Sequence, residues 1–182
     1  MEKDLGFLYV KKDYKKKAEI ISRLIGDIIR RSNNILDVGS GNGLIVGHLE
    51  EFYEKKITKL DPLGTQPEIL KIDFLDNKFK DGEFDLIIMN GVYDYIKDKD
   101  TLLKELHRVG KCVYCTLTVN IPFIAGKIDK WASYKDSEKD FLKRAEKYFR
   151  VVDITYRLFG SKTIYFILKK IIAHRKYILH SK

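Results

Sequence analysis

Apolar residues recur three or four positions apart in several segments, and this spacing predicts helices with one buried face. The predicted helices cover Ile21 to Ile29, closing with Arg30 and Arg31, then Leu44 to Tyr53, Thr101 to Val109, and a stripe from Phe141 to Phe149. Shorter apolar runs between turn residues predict strands. The predicted strands begin at Ile35 and then cover Lys56 to Leu60, Glu68 to Ile72, Phe84 to Met89 and Lys111 to Val119.

The last part of the chain predicts a hairpin, with strands over residues 151–157 and 163–168 around Gly160 and Ser161. Before it, Ser137 and Asp140 have the spacing of a helix capping box. Residues 120–135 form a long irregular stretch, which is either functional or packed over the sheet edge. The pattern makes no structural prediction for residues 171–182.

The segment from Ile35 to Gly43 reads I-L-D-V-G-S-G-N-G and predicts a buried strand, a glycine-rich turn and a helix start. Glycine lets the backbone approach a ligand closely because it carries no Cβ. A helix start offers unpaired N–H groups and a positive dipole end. Asp37, at the exit of the strand, could hold a cationic or hydroxyl-bearing group of that ligand.

Two classes of nucleotide-binding turn have glycines at similar spacing. The dinucleotide fingerprint G-x-G-x-x-G requires a glycine where this chain has Leu44. The pattern D-x-G-x-G-x-G instead resembles motif I of the class I S-adenosylmethionine-dependent methyltransferases. The resemblance assigns Asp37, Gly39, Ser40 and Gly41 to cofactor binding.

Acids after the second and third predicted strands extend this resemblance. Asp61, followed by Pro62, matches the motif II acid that reaches the ribose hydroxyls. Asp73 and Phe74 match the pair that the family places beside the adenine amino group and ring. The helix that the family has after Asp61 is expected to be truncated or absent here, because residues 63–67 are short and turn-rich.

The exit of the fourth strand resembles motif IV, beside the methionine part of the cofactor and the acceptor. Asn90 is the cofactor-binding residue implied there. The location after this strand makes Asp94, Tyr93 and Tyr95 the candidates for a general base. Methyltransferases that act on amino groups have the motif Asn/Asp-Pro-Pro-Tyr here, and this chain has Asn90 and Tyr93 but neither proline. Residues 101–109 instead resemble the L-x-E-x-x-R-V helix of quinone, lipid and metabolite methyltransferases. His107, within that helix, is expected at the surface.

The resemblance covers roughly residues 18–168 and implies an α/β fold. That fold is a single-domain, Rossmann-like, seven-stranded and mostly parallel sheet with a C-terminal antiparallel hairpin and helices on both faces. The single domain would span residues 1–182, with a basic cap and helix at 1–31, the core at 32–170 and a basic tail at 171–182.

Charge is spread unevenly, with a net +4 over residues 1–31, −5 over 32–110 and +10 over 111–182. Such asymmetry indicates either an anionic partner or a solvated lysine-rich surface. The lysines between Lys11 and Lys17 are expected to precede the first helix and to lie near the acceptor.

Composition narrows the class of protein. No apolar run approaches the roughly 18 residues of a membrane span, and the acidic start is unlike a secretory signal. Cys112 and Cys115 should point to opposite faces of a strand as buried free thiols, and no metal cluster is visible. A cytoplasmic protein is expected.

Three functions stay open at this point. The first is an S-adenosylmethionine-dependent methyltransferase of an anionic small molecule or lipid. The second is an RNA or DNA methyltransferase, which the basic ends and the pair Asn90 and Tyr93 favour. The third is a non-catalytic protein that binds S-adenosylmethionine. The oligomeric state does not follow from the sequence.

Overall fold

The computed structural model describes residues 11–119, 134, 136–159 and 161–171. Its helices are α1 (Lys11–Arg31), α2 (Leu44–Tyr53), α3 (Lys99–Val109) and α4 (Glu138–Ala145). Its strands are β1 (Ile35–Val38), β2 (Thr58–Leu60), β3 (Ile69–Leu70), β4 (Phe84–Met89), β5 (Gly110–Val119), β6 (Phe149–Phe159) and β7 (Ser161–Lys170). Two single 3₁₀ turns, Phe74–Asp76 and Tyr93–Tyr95, follow β3 and β4.

The strands form one sheet in the order β3-β2-β1-β4-β5-β7-β6. The first five strands pair in parallel, and β7 is antiparallel to both β5 and β6. This confirms the expected seven-stranded, mostly parallel sheet with an antiparallel C-terminal pair. Because β1 and β4 are adjacent although β2 and β3 separate them in sequence, the turns after β1 and β4 meet at one edge.

Two apolar layers hold helices against opposite faces of this sheet. One layer joins α1 and α2 to the face that presents Ile35, Leu86 and Ile88. The other layer joins α3 and α4 to the face that presents Leu36 and Ile87. Alternate residues of β1 and β4 therefore enter different cores, as the two-residue period of a strand requires.

The basic cluster lies within α1, so the expectation that it precedes the first helix was wrong. Tyr14 and Ala18 are buried and extend the apolar stripe of Ile21 and Ile25 toward the helix start. The stripe has helical spacing, and the lysines between its members occupy the other sides of the helix. The helix consequently begins at Lys11.

Further predictions can be compared with the structure. Residues 61–68, between β2 and β3, form turns without a helix, as expected from their composition. Ser137 caps α4 by accepting a hydrogen bond from the Asp140 N–H at 3.1 Å. His107, expected at the surface, is half-buried, because its ring packs against Tyr148 and Phe149 with centroids 5.9 and 5.6 Å apart. A contact between α3 and the start of β6 was not visible in the local sequence.

The cysteines lie where the strand period placed them. Cys112 belongs to the layer beneath α1, and Cys115 belongs to the layer beneath α3 and α4. Both are buried free thiols, and burial raises the pKa of Cys112 to about 11. Apart from Tyr134, the predicted irregular stretch at 120–135 lies outside the described residues, as do Gly160 and all of the tail after Ile171. Among the described residues, no helix has the length and apolar character needed to cross a membrane.

Candidate cofactor and active site

The glycine-rich turn begins directly after β1, and its three glycines all have positive φ. Gly39, Gly41 and Gly43 have φ values of 74°, 58° and 73°, which L side chains rarely adopt. A Cβ at Gly39 would overlap the Val92 side chain in the turn after β4. A Cβ at Gly41 would meet no described atom within 4 Å. Gly39 is therefore needed for packing, whereas Gly41 faces open space that a ligand could fill.

Asp61 joins this turn to the end of β2. The Gly41 N–H donates to Asp61 Oδ2 at 2.8 Å, and the Leu63 N–H donates to Oδ1 at 2.7 Å. The Gly39 N–H also donates to the Leu60 carbonyl at 2.7 Å. Each carboxylate oxygen can accept more than one hydrogen bond, so Asp61 keeps capacity for a ligand hydroxyl.

Asp37 is a buried acid beneath the same turn, with 7% of its surface exposed. Burial raises the pKa of its carboxyl to about 7, and the nearby Asp61 charge acts in the same direction. Ser40 and Lys59 oppose this rise only in part. An acid with a strongly raised pKa at the edge of a sheet is a candidate for a functional role, because a cationic ligand group would stabilise its charge.

The turn after β4 lies beside the glycine-rich turn. Asn90 is half-buried at its start, and the Gly91 N–H donates to Thr116 Oγ1 on β5 at 2.6 Å. Gly91 also has a positive φ of 73°. The turn is thereby fixed to the neighbouring strand, with Asn90 at the carboxyl end of β4.

The three candidates for a general base differ sharply in their surroundings. Tyr93 is fully buried, and its hydroxyl donates to Asp136 Oδ2 at 2.7 Å. Burial and the Asp136 carboxylate raise the pKa of Tyr93 far above its usual range. Asp94 is also buried, with 4% exposed, whereas Tyr95 is 43% exposed. Of the three, Tyr95 has the side chain that solvent or an acceptor reaches.

Lys99, the first residue of α3, was missed by the sequence reasoning. It is buried, its ammonium donates to the Tyr93 carbonyl, and it lies 3.9 Å from the centroid of the Tyr93 ring. Burial lowers the pKa of Lys99, while the charges of Asp94 and Asp136 counteract that shift. The residues around Lys99 are polar, so nothing in the local sequence indicates that this lysine is buried.

The remaining predicted residues lie apart from this cluster or inside the core. Pro62 is exposed next to Asp61. Asp73 is exposed and its side chain accepts from the Leu75 N–H at 2.9 Å, capping the 3₁₀ turn. Phe74 is 2% exposed and belongs to the apolar layer that contains Val38. Such burial is typical of a core residue, and the adenine contacts implied for Asp73 and Phe74 stay predictions.

The structure thus brings Asp37, the glycine-rich turn, Asp61 and Asn90 to one edge of the sheet. The described residues contain no group of three or more His, Cys, Asp or Glu side chains that could hold a metal ion. The sheet order, the positive-φ turn after β1 and the acid after β2 define a nucleotide-cofactor protein with an open α/β sheet.

Residues 9–151 match the family described as methyltransferase domain, so the chain belongs to that family. The protein is an S-adenosylmethionine-dependent methyltransferase with a class I fold.

Solved structures share the fold at low sequence identity. PH0226 protein from Pyrococcus horikoshii OT3 is 13% identical, with a TM-score of 0.76 over 94% of this chain and 100% of that one. Magnesium protoporphyrin IX methyltransferase (ChlM) from Synechocystis PCC 6803, with bound SAH, is 13% identical, with a TM-score of 0.67 over 87% and 84%. A SAM-dependent methyltransferase from Aquifex aeolicus is 17% identical, with a TM-score of 0.58 over 88% and 99%.

Proposed function

We propose that this methyltransferase acts on an anionic small molecule or lipid, and that it binds S-adenosylmethionine at the edge formed by the turns after β1, β2 and β4. Two features support this cofactor position. The space beside Gly41 is open among the described residues, and Asp61 keeps free acceptor capacity next to it. These residues fit an adenosyl cofactor whose ribose hydroxyls need an acceptor.

When bound, the cofactor supplies a methyl group on a sulfonium, which is readily displaced by a nucleophile. Asp37, Gly39, Ser40 and Gly41 would hold the cofactor from the β1 side, Asp61 and Pro62 from the β2 side, and Asn90 from the β4 side. The protein then contributes mainly proximity and orientation.

A base is required only for an acceptor that is protonated at the working pH. Tyr95 is the exposed candidate for that role, because Tyr93 is committed to Asp136 and Asp94 is buried.

One contact carries the proposal of an anionic acceptor. Asn42, in the glycine-rich turn, donates from Nδ2 to the Tyr14 hydroxyl at 2.9 Å. This contact brings the basic start of α1 next to the glycine-rich turn, and Lys15 and Lys16 in it are exposed. Positive charge beside an acceptor site favours an anionic acceptor and speeds its encounter.

Helix α3 carries the resemblance to small-molecule and lipid methyltransferases, but its Glu105 and Arg108 have a structural role. Their contacts with each other and with Asp81 are called the brace below. Glu105 and Arg108 of α3 pair with each other, and Arg108 also donates to Asp81 at 2.8 Å. This brace lies before β4, at the opposite end of the strands from the cofactor edge. Helix α3 therefore supports a small-molecule or lipid acceptor by resemblance alone. An RNA or DNA acceptor is kept as an outcome of the test.

The test follows transfer of labelled methyl groups from S-adenosylmethionine into fractionated cell extract. Small-molecule, lipid, RNA and DNA fractions are assayed separately at low and high salt. The test variant changes Lys11, Lys12, Lys15, Lys16 and Lys17 to Gln. A control variant changes three exposed lysines that lie away from the cofactor edge, Lys78, Lys80 and Lys104, to Gln.

We expect label in the small-molecule or lipid fraction, reduced severalfold by the test variant at low salt and less at high salt. The control variant should label as the unchanged protein does. Label in RNA or DNA, with a steep loss as salt rises, would instead support the nucleic-acid alternative. Equal labelling by all variants at both salt concentrations would show that the lysines form only a solvated surface.

A further inference from the structure

Tyr14 lies near the start of the basic helix α1, yet it is buried. Its side chain is buried, with 6% exposed, and continues the apolar stripe of Ala18 and Ile21. Its hydroxyl reaches beyond that stripe to Asn42 Nδ2 at 2.9 Å. The residue therefore packs α1 against the molecule and also contacts the glycine-rich turn.

Both polar atoms of the Asn42 side-chain amide make hydrogen bonds. Nδ2 donates to Tyr14, and Oδ1 accepts from the Leu44 N–H at the start of α2 at 3.2 Å. Its two neighbours, Gly41 and Gly43, both have positive φ. Glycine loses more conformational freedom on ordering than any other residue, so such a turn is costly to keep in one shape. A side-chain contact to the residue between the two glycines reduces the number of shapes available.

We propose that Tyr14 is a positioning residue of the cofactor site: its hydroxyl, through Asn42, holds the glycine-rich turn in the shape that binds S-adenosylmethionine. This rests on the proposed role of that turn in cofactor binding. Coupling between two sites is reciprocal, so the bound cofactor also holds the start of α1 in place. The basic residues of α1 are consequently ordered beside the acceptor when the cofactor is present.

Tyr53 provides the matched comparison on the same pair of helices. Its ring lies between α1 and α2, 4.9 Å from the Phe52 ring and 5.4 Å from the Arg30 guanidinium. Its hydroxyl lies beside Gly26 of α1, away from the glycine-rich turn. Removing this hydroxyl changes the α1–α2 contact without changing the turn.

The experiment measures the affinity for S-adenosylhomocysteine by calorimetry. Tyr14→Phe keeps the ring and should weaken binding about fivefold to tenfold, which is the loss expected for one hydrogen bond. Asn42→Ala should weaken binding by a similar factor, and the double variant should lose less than the product of the two single losses. Tyr53→Phe should bind as the unchanged protein does.

A second measurement separates positioning from plain stability. Addition of S-adenosylhomocysteine should slow amide hydrogen exchange over residues 14–22 in the unchanged protein and in Tyr53→Phe, and much less in Tyr14→Phe. Unchanged affinity in a folded Tyr14→Phe, or equal slowing of exchange in all three proteins, would overturn the inference. If Gly41→Val also leaves the affinity unchanged, the proposed cofactor site itself is wrong; if Gly41→Val abolishes binding, only the role of Tyr14 is.

Discussion

Two acids at opposite ends of the parallel strands, Asp85 and Asp37, have pKa values shifted in opposite directions. At the amino end, Asp85 accepts from the Asn33 and Asn34 N–H groups at 2.9 and 3.2 Å and pairs with Lys111 at 2.7 Å. These partners lower the pKa of Asp85 to about 2. At the carboxyl end, burial raises the pKa of Asp37 to about 7.

The same contrast holds for the basic groups. At the amino end, Arg108 donates to Glu105, to Asp81, to the Phe79 carbonyl at 2.7 Å and to Asn77 at 3.2 Å, and these carboxylates raise its pKa. At the carboxyl end, burial lowers the pKa of Lys99. The charged forms of Asp85 and Arg108 are thus stabilised, whereas those of Asp37 and Lys99 are destabilised. Perturbed groups of this kind cluster at functional sites, because ligand binding can supply the missing compensation.

The largest expected effect concerns the pH dependence of stability, measured by urea unfolding of the cofactor-free protein. For Asp37, the folded state holds its proton more tightly than the unfolded state, so ionisation opposes folding. This contribution lowers the free energy of unfolding as pH rises from about 4 to about 7, by up to about 4 kcal/mol. Asp37→Asn has no carboxyl group to ionise at this position. Its free energy of unfolding should therefore rise relative to that of the unchanged protein as pH rises.

Asp85→Asn should show the opposite dependence. The lowered pKa of Asp85 contributes stability above the ordinary carboxyl pKa, and that stability is lost as pH falls toward about 2. The variant should therefore be less stable than the unchanged protein at neutral pH, by an amount that shrinks in acid. Parallel pH profiles for the two variants would contradict the contrast between the two ends.

A smaller effect is expected for the affinity of the cofactor site. Gly41→Val should weaken S-adenosylhomocysteine binding at least about a hundredfold, or about 3 kcal/mol, because the side chain fills the open space beside the turn. Gly82 is the matched control, since it also has a positive φ, of 65°, and no described atom within 4 Å of a Cβ. Gly82→Val carries the same backbone strain before β4. Equal affinity losses in the two variants would show that strain, and not the ligand space, is responsible.

The smallest of these effects tests the brace. Arg108→Met removes hydrogen bonds to charged and neutral acceptors and should lower the free energy of unfolding by about 2 kcal/mol. Affinity for S-adenosylhomocysteine should not change, because the brace lies at the other end of the strands. Thermal unfolding and calorimetry on the same sample measure both quantities. A large loss of affinity with little loss of stability would reverse the assignment of the two ends.

Features that depend on neighbours in sequence were predicted well. The bounds of α2 and β4, the Ser137 cap and the absence of a helix after β2 agree with the structure. The reason is that strand and helix periods, turn residues and caps act over a few positions. The expectation of one seven-stranded, mostly parallel sheet came from the resemblance to a family, since local patterns do not specify which strands pair; the order of the strands came from the structure.

Only the tertiary structure decided which distant side chains meet. The sequence alone determined a glycine-rich turn at the exit of a strand, because glycine can adopt the positive φ values that other residues rarely adopt. It did not indicate that Tyr14 would reach Asn42, that Lys99 would lie buried over Tyr93, or that His107 would pack against Phe149. These contacts join residues on different elements, and their energies depend on burial that exists only once the sheet and helices have packed.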